Sequence, residues 1–140
     1  MNIARGLLAA LALLLAAAAC SSASAEWTPL PSGVEPPAAC ARADANRVIE
    51  ISANQLKFSA PCMVAPAGVA FVVRFTNNEA EQHNVAIYSN RSKETQYFQG
   101  DTFSGLQVTK DYAVDALPAG EYYFDCIVHP ADMNGALYVR

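Results

Sequence analysis

Beyond its first few dozen residues, this chain alternates apolar and polar side chains. In RVIEIS, Ile49 and Ile51 fall on one face and Val48 on the other. In VAFVVRFTN, Val69, Phe71, Val73 and Phe75 share a face, while Arg74 and Thr76 share the opposite one. HNVAIYS repeats the form with His83, Val85 and Ile87 in line. EYYFDC and ALYVR supply two late runs, the first turning Tyr122, Phe124 and Cys126 the same way. A period of two puts successive side chains on opposite faces of a strand, so each run predicts a strand with one face on a core. Pro66-Ala67-Gly68, Asn77-Asn78 and Pro118-Ala119-Gly120 punctuate the runs as turns. Residues 90–105 are polar and irregular, a pattern that allows a short helix or a long loop. Some seven or eight short strands over residues 46–140 predict an all-β fold, an antiparallel Greek-key β-sandwich. That length suffices for one core between two sheets.

The N-terminal stretch is built differently. MNIARGLLAALALLLAAAAC sets Arg5 ahead of a leucine- and alanine-rich run from Leu7 to Ala19. The run is short for a bilayer span and has the build of an export signal. Two cleavage schemes compete. Cys20 directly follows the run, as in lipoprotein signals whose cysteine is lipidated, which makes the signal 1–19. Ala23-Ser24-Ala25 is an A-x-A site for ordinary secretion, which makes it 1–25. Residues 20–45, rich in Ser, Ala and Pro, read as an extended tether ahead of the domain at 46–140. The expected location is the cell envelope or beyond it, on a lipid anchor or as a soluble periplasmic or extracellular protein.

Charge narrows the partners. The chain carries 9 Lys and Arg against 13 Asp and Glu; loss of residues 1–19 removes Arg5 and leaves eight against thirteen, a net charge of −5. This balance argues against nucleic acid and against a polybasic membrane patch. It leaves the lipid as the expected membrane attachment of a monomer, and it permits a basic protein partner.

Four cysteines are present: Cys20, Cys40, Cys62 and Cys126. In an exported chain disulfides persist. If Cys20 carries lipid, three remain, and an odd number requires a reason. Cys40 lies near the end of the tether and Cys62 at the start of a strand. A bridge between them would pin the leader to the sandwich and contribute about 3 kcal/mol through loop entropy. The pairing stays open at this level. Where it forms, Cys126 is left as a free thiol or as a ligand.

FDCIVHPADMNG, residues 124–135, gathers a cysteine, a histidine and a methionine in a chain with only 2 histidines and 3 methionines. Each has an ordinary explanation alone: Cys126 as a small buried hydrophobe, His129 as a turn cap before Pro130, Met133 as core filler, His83 as a packed histidine. Together they suggest more. The thiol emerges from the core at a strand end, His129 follows three residues later and Met133 seven, and His83 faces inward at the head of another strand. Two imidazoles, one thiolate and a weak thioether form the ligand set of a blue-copper site. Zinc would use the thioether poorly. Cysteine hydrolase chemistry would need a base and an oxyanion hole for which no motif is present. Oxidases with a second copper centre need histidines beyond the two here, and a binuclear copper site needs a second cysteine where Ile127 and Val128 stand.

HNVAIY after Asn77-Asn78, with YYFDCIVHPADMNGALYV at the end, resembles the cupredoxins, the plastocyanin-like and amicyanin-like blue copper proteins. Small exported bacterial members share a Cys-x2-His-Pro-x2-Met-x-Gly ending. The resemblance covers about residues 46–140. It implies a Greek-key β-sandwich with one type 1 copper at one end and one-electron transfer rather than catalysis. His83, Cys126 and His129 are then equatorial ligands and Met133 the weak axial one. Asn84 matches the residue whose side chain ties the two ligand loops together; its alternative is an exposed strand asparagine. Cys62 matches a position often cysteine in these relatives, which fits the bridge to Cys40. The implied partner is a redox protein, such as a basic cytochrome or a membrane oxidase or reductase. The rival role is delivery or buffering of copper for an oxidase. One departure is Asp125, where close relatives carry histidine or a neutral residue; Asp132 adds a carboxylate inside the loop. Period two turns Asp125 outward, so it is expected as a screened, solvated charge.

Overall fold

The computed structural model describes residues 34–140. The expected signal segment, Cys20 and the expected tether up to residue 33 lie outside the described residues. All regular structure within them is strand: β1 (Ala41–Arg42), β2 (Val48–Asn54), β3 (Lys57–Phe58), β4 (Cys62–Ala65), β5 (Phe71–Asn77), β6 (Ala86–Tyr88), β7 (Gln96–Gln99), β8 (Val108–Val114), β9 (Gly120–Asp125) and β10 (Asn134–Val139). They form a sandwich of two sheets, ordered β1-β4-β10-β9-β6-β7 and β3-β2-β5-β8.

The expected wholly antiparallel pairing is not what forms. β1 pairs with β4, β4 with β10 and β2 with β5 in parallel. The chain changes sheet on entering β2, β4, β5, β6, β8 and β9, so hydrogen-bonded neighbours are often distant in sequence. Period two records which face a side chain takes and carries nothing about a neighbour's direction.

The irregular stretch at 90–105 contains an edge strand, β7, antiparallel to β6 with a register shift between Ile87 and Tyr88. Its side chains are mostly exposed on both faces, so it shows no alternation. β8 is similar at its start: Val108 is exposed, and burial begins only at Tyr112 and Val114. Val69, grouped by parity with Phe71, is 39% exposed because β5 begins two residues later.

The sheet also begins earlier than the pattern at residue 46 suggests. Ala41 and Arg42 align with Met63 and Val64. The Arg42 guanidinium donates to the Pro36 carbonyl at 3.0 Å. A disulfide joins Cys40 to Cys62, closing a separation of 22 residues. It brings the last part of the Ser/Ala/Pro segment against β4, where a two-residue strand can pair. Replacing both cysteines by serine is expected to lower the unfolding free energy by about 3 kcal/mol, from the entropy of the opened loop. A urea titration with an unchanged midpoint would contradict this.

The core lies between the sheets. Ile49, Ile51, Val73 and Phe75 from one meet Met63, Ile87, Phe124 and Leu137 from the other, all nearly or fully buried. Phe75 packs edge-on to Phe58 and Phe103 at 6.0 and 5.7 Å, and Phe58 lies 5.2 Å from Phe124. The Tyr122 hydroxyl donates to the Pro118 carbonyl at 2.9 Å, anchoring the turn before β9. At the head of β10 only a glycine fits. A Cβ on Gly135 would press into the Phe124 ring at 2.7 Å and into the Pro61 carbonyl. That close approach lets β10 return directly from the 126–133 loop.

Candidate metal centre

Four chain segments meet at one end of the sandwich. β9 ends at Asp125 and hands Cys126 to the loop; β5 ends at Asn77 and leads to His83; residues 100–107 run alongside through the His83–Phe103 bridge; and β2 turns into β3 nearby. The 126–133 loop is held by its own backbone. Cys126 N–H donates to Met133 O at 3.0 Å, and His129 O accepts from Met133 N–H at 2.9 Å and Asp132 N–H at 3.2 Å. A closed loop of this kind fixes the directions of Cys126, His129 and Met133 together.

The donor atoms converge. His83 Nδ1 lies 3.7 Å from Cys126 Sγ and 3.3 Å from His129 Nδ1, and His129 Nδ1 lies 4.0 Å from the sulfur. All three atoms fall within 4.8 Å of one another. Metal bonds of roughly 2.0–2.3 Å, opened to about 110–120°, place such donors about 3.4–3.8 Å apart, so these side chains fit one shared ion. His83, Cys126 and Met133 are fully buried, and His129 is half-buried. Among the described residues Cys126 is the free cysteine. Burial holds the His83 imidazole below the usual histidine range, against the opposing pull of Glu79. A neutral ring leaves a lone pair for metal.

Asn84 is buried rather than exposed on a strand. Its Nδ2 donates to Gly100 O at 2.7 Å and its Oδ1 accepts from Ile127 N–H at 3.0 Å. It therefore links the His83 strand to the residue after Cys126.

Asp125 departs from expectation. It points away from the core as period two requires, yet it is fully buried rather than solvated. The β6–β7 connection folds over that face. Lys93 Nζ sits 2.5 Å from Asp125 Oδ2 and 5.0 Å from the centre of the Tyr88 ring, and Arg91 covers Tyr123. Among the described residues no further hydrogen bond reaches the Asp125 oxygens. Parity sees one strand at a time and cannot report a loop arriving from elsewhere. Asp132 is exposed.

The family model of the cupredoxin-like domain matches residues 7–139. This chain belongs to that family. Among solved structures, the cupredoxin is similar to a dithionite-reduced auracyanin from Roseiflexus castenholzii, at 20% identity and a TM-score of 0.59 over 69% of this chain and 99% of that one. It is also similar to auracyanin A, a "blue" copper protein of Chloroflexus aurantiacus, at 22% identity and 0.59 over 66% and 98%. A reduced amicyanin variant matches at 26% identity and 0.51 over 69% and 86%. No curated protein sequence matches the chain. Within this fold, His83, Cys126, His129 and Met133 match the donor set of a single type 1 copper.

Two residues at the site escaped the sequence reading. Glu79 places Oε1 2.9 Å from His83 Nε2, and Lys93 neutralises Asp125. Glu79 stands four residues before His83, a spacing that carries no signal outside a helix; Lys93 lies inside the irregular stretch.

Proposed function

We propose that this cupredoxin is a one-electron carrier with His83, Cys126 and His129 as equatorial copper ligands and Met133 as the weak axial one. The observation that carries the reading is the convergence of both histidine Nδ1 atoms on the Cys126 sulfur. Bound copper would supply a Cu(II)/Cu(I) couple that accepts one electron from a donor and passes it to an acceptor. The chain's own part is to hold its donors still. Cys126 and His83 are locked in the buried interior, and Asn84 and the 126–133 backbone bonds tie their loops together. A rigid compromise between the preferences of the two oxidation states keeps reorganisation small.

His129 is the half-buried edge of the site, and its neighbours Ile127, Val128, Pro130 and Ala131 are exposed. This apolar rim is the proposed docking surface for a redox partner, and the chain's acidic balance would steer a basic cytochrome toward it. The Cys40–Cys62 bridge supports an exported location, with Cys20 as the proposed lipid attachment. The role is electron carriage rather than catalysis.

Stopped-flow mixing of the reduced, copper-loaded protein with candidate cytochromes tests the reading. Reoxidation by one equivalent, slowing as salt rises, is expected. Salt-independent rates would remove the steering claim. Transfer of the metal itself to an apo acceptor, without electron exchange, would favour copper delivery.

A further inference from the structure

The loop between β5 and His83 is built around a buried amide. Asn77 Nδ2 donates to Glu81 O at 2.8 Å and Phe103 O at 3.2 Å, and its Oδ1 accepts from Glu79 N–H at 2.9 Å. The backbone is thereby curled so that the Glu79 side chain, only 15% exposed, reaches back beneath His83. Glu79 Oε1 also accepts the Leu56 N–H at 3.0 Å. Leu56 belongs to the β2–β3 turn, where Gln55 and Leu56 both take φ of 54°. Left-handed backbone at two successive side-chain-bearing residues is strained and persists only where its surroundings hold it. Here the strained turn delivers its amide to the carboxylate that faces His83.

On His83 the two ring nitrogens have different company. Nδ1 faces Cys126 Sγ and His129 Nδ1, whereas Nε2 faces Glu79 Oε1. The 2.9 Å approach at Nε2 is close, though not aligned as a hydrogen bond. The interaction is therefore mainly that of the carboxylate charge with the N–H dipole of a neutral ring, in a buried setting where little water screens it. A carboxylate in this place favours the proton on Nε2 and leaves Nδ1 bare. It also makes the imidazole a stronger donor.

We propose that Glu79 is the positioning residue of the site: held by Asn77 and by the Gln55–Leu56 turn, it fixes the Nε2–H tautomer of His83 and biases the site toward Cu(II) over Cu(I). This rests on the copper reading for its second half only. The tautomer is a property of the protein itself.

Two measurements on the whole chain test it. In wild-type protein without copper, long-range proton–nitrogen spectra of His83 are expected to show the Nε2–H form; an Nδ1–H form would overturn the proposal without any variant. Glu79→Gln keeps the length of the side chain and an oxygen for Leu56 N–H while removing the charge, and its amide can serve either tautomer. Its metal-free His83 is expected to become a mixture of tautomers. Cu(II) affinity should fall by about 10–100-fold, with Cu(I) affinity less affected, so the reduction potential rises. A wild-type tautomer, or a wild-type ratio of the two copper affinities, in a variant with wild-type near-ultraviolet dichroism would reduce Glu79 to a staple for the turn and overturn the assignment. If wild-type protein forms no blue centre, the copper reading fails, and the tautomer arm still decides the role of Glu79.

Discussion

Cys126→Ser is expected to leave a folded protein that has lost its blue centre. Serine is close in size to cysteine, and the site is fully buried at the end of β9, so little volume changes. The backbone bonds from Cys126 N–H to Met133 O and from His129 N–H to Cys126 O need no sulfur. What goes is the thiolate, the soft donor that holds Cu(I) and whose charge transfer to Cu(II) gives the colour. Two imidazoles and a thioether remain. Copper affinity should drop by more than about 100-fold, beyond the range typical for residues that only support a ligand. Unfolding by urea should change far less, since one buried Sγ is exchanged for a hydroxyl facing the same two rings. Copper titration followed by absorbance checks the first expectation and a urea melt the second. An intact blue band in this variant would remove Cys126 from the site.

Lys93→Ala is expected to lower the unfolding free energy by about 3–4 kcal/mol. Asp125 is fully buried, and Lys93 is the cation that faces it. Removing one member of such a pair leaves an uncompensated charge in the interior, a loss of about 3–5 kcal/mol where both partners are enclosed. Lys93 keeps 34% of its side-chain exposure, so water can enter the gap and the lower part of that range applies. The pair also leaves a pH signature. Its hydrogen bond to Asp125, more than its burial opposes, raises the Lys93 pKa above the ordinary lysine value. A raised folded pKa means this stabilisation is complete below about pH 10.4, the unfolded lysine value, and is lost as pH climbs through the folded one. Wild-type protein should therefore lose stability at alkaline pH more steeply than Lys93→Ala. Parallel curves for the two would show that the pair contributes nothing.

Much of the ligand set was legible because its determinants are local. The parity of His83 with Val85 and Ile87, and of Cys126 with Tyr122 and Phe124, is a property of single strands, and these six side chains are buried as that parity requires. The spacing of Cys126, His129 and Met133 is a property of one loop. What stayed hidden depends on segments that meet only after folding. β7 and the start of β8 lack a buried face, so no alternation marks them. The parallel pairing of β2 with β5 and of β4 with β10 depends on crossings between sheets. Parity alone makes Asp125 a solvated charge because its face is outward; the arrival of Lys93 on the 89–95 connection buries it. Glu79 reaches His83 through a curl fixed by Asn77, a buried amide whose partners at Glu81 and Phe103 no linear pattern discloses. Local alternation and the spacing within one loop thus place the four candidate ligands, while the residues packed around them come from loops that cross the end of the sandwich.

The central claim is tested most directly by optical and paramagnetic resonance spectra of the protein titrated with Cu(II). The account predicts saturation at one equivalent, an intense blue thiolate-to-copper charge-transfer band and a narrow copper hyperfine splitting. A pale spectrum with ordinary Cu(II) hyperfine splitting would contradict it and leave the loop after β9 as a turn or a transient dock for metal.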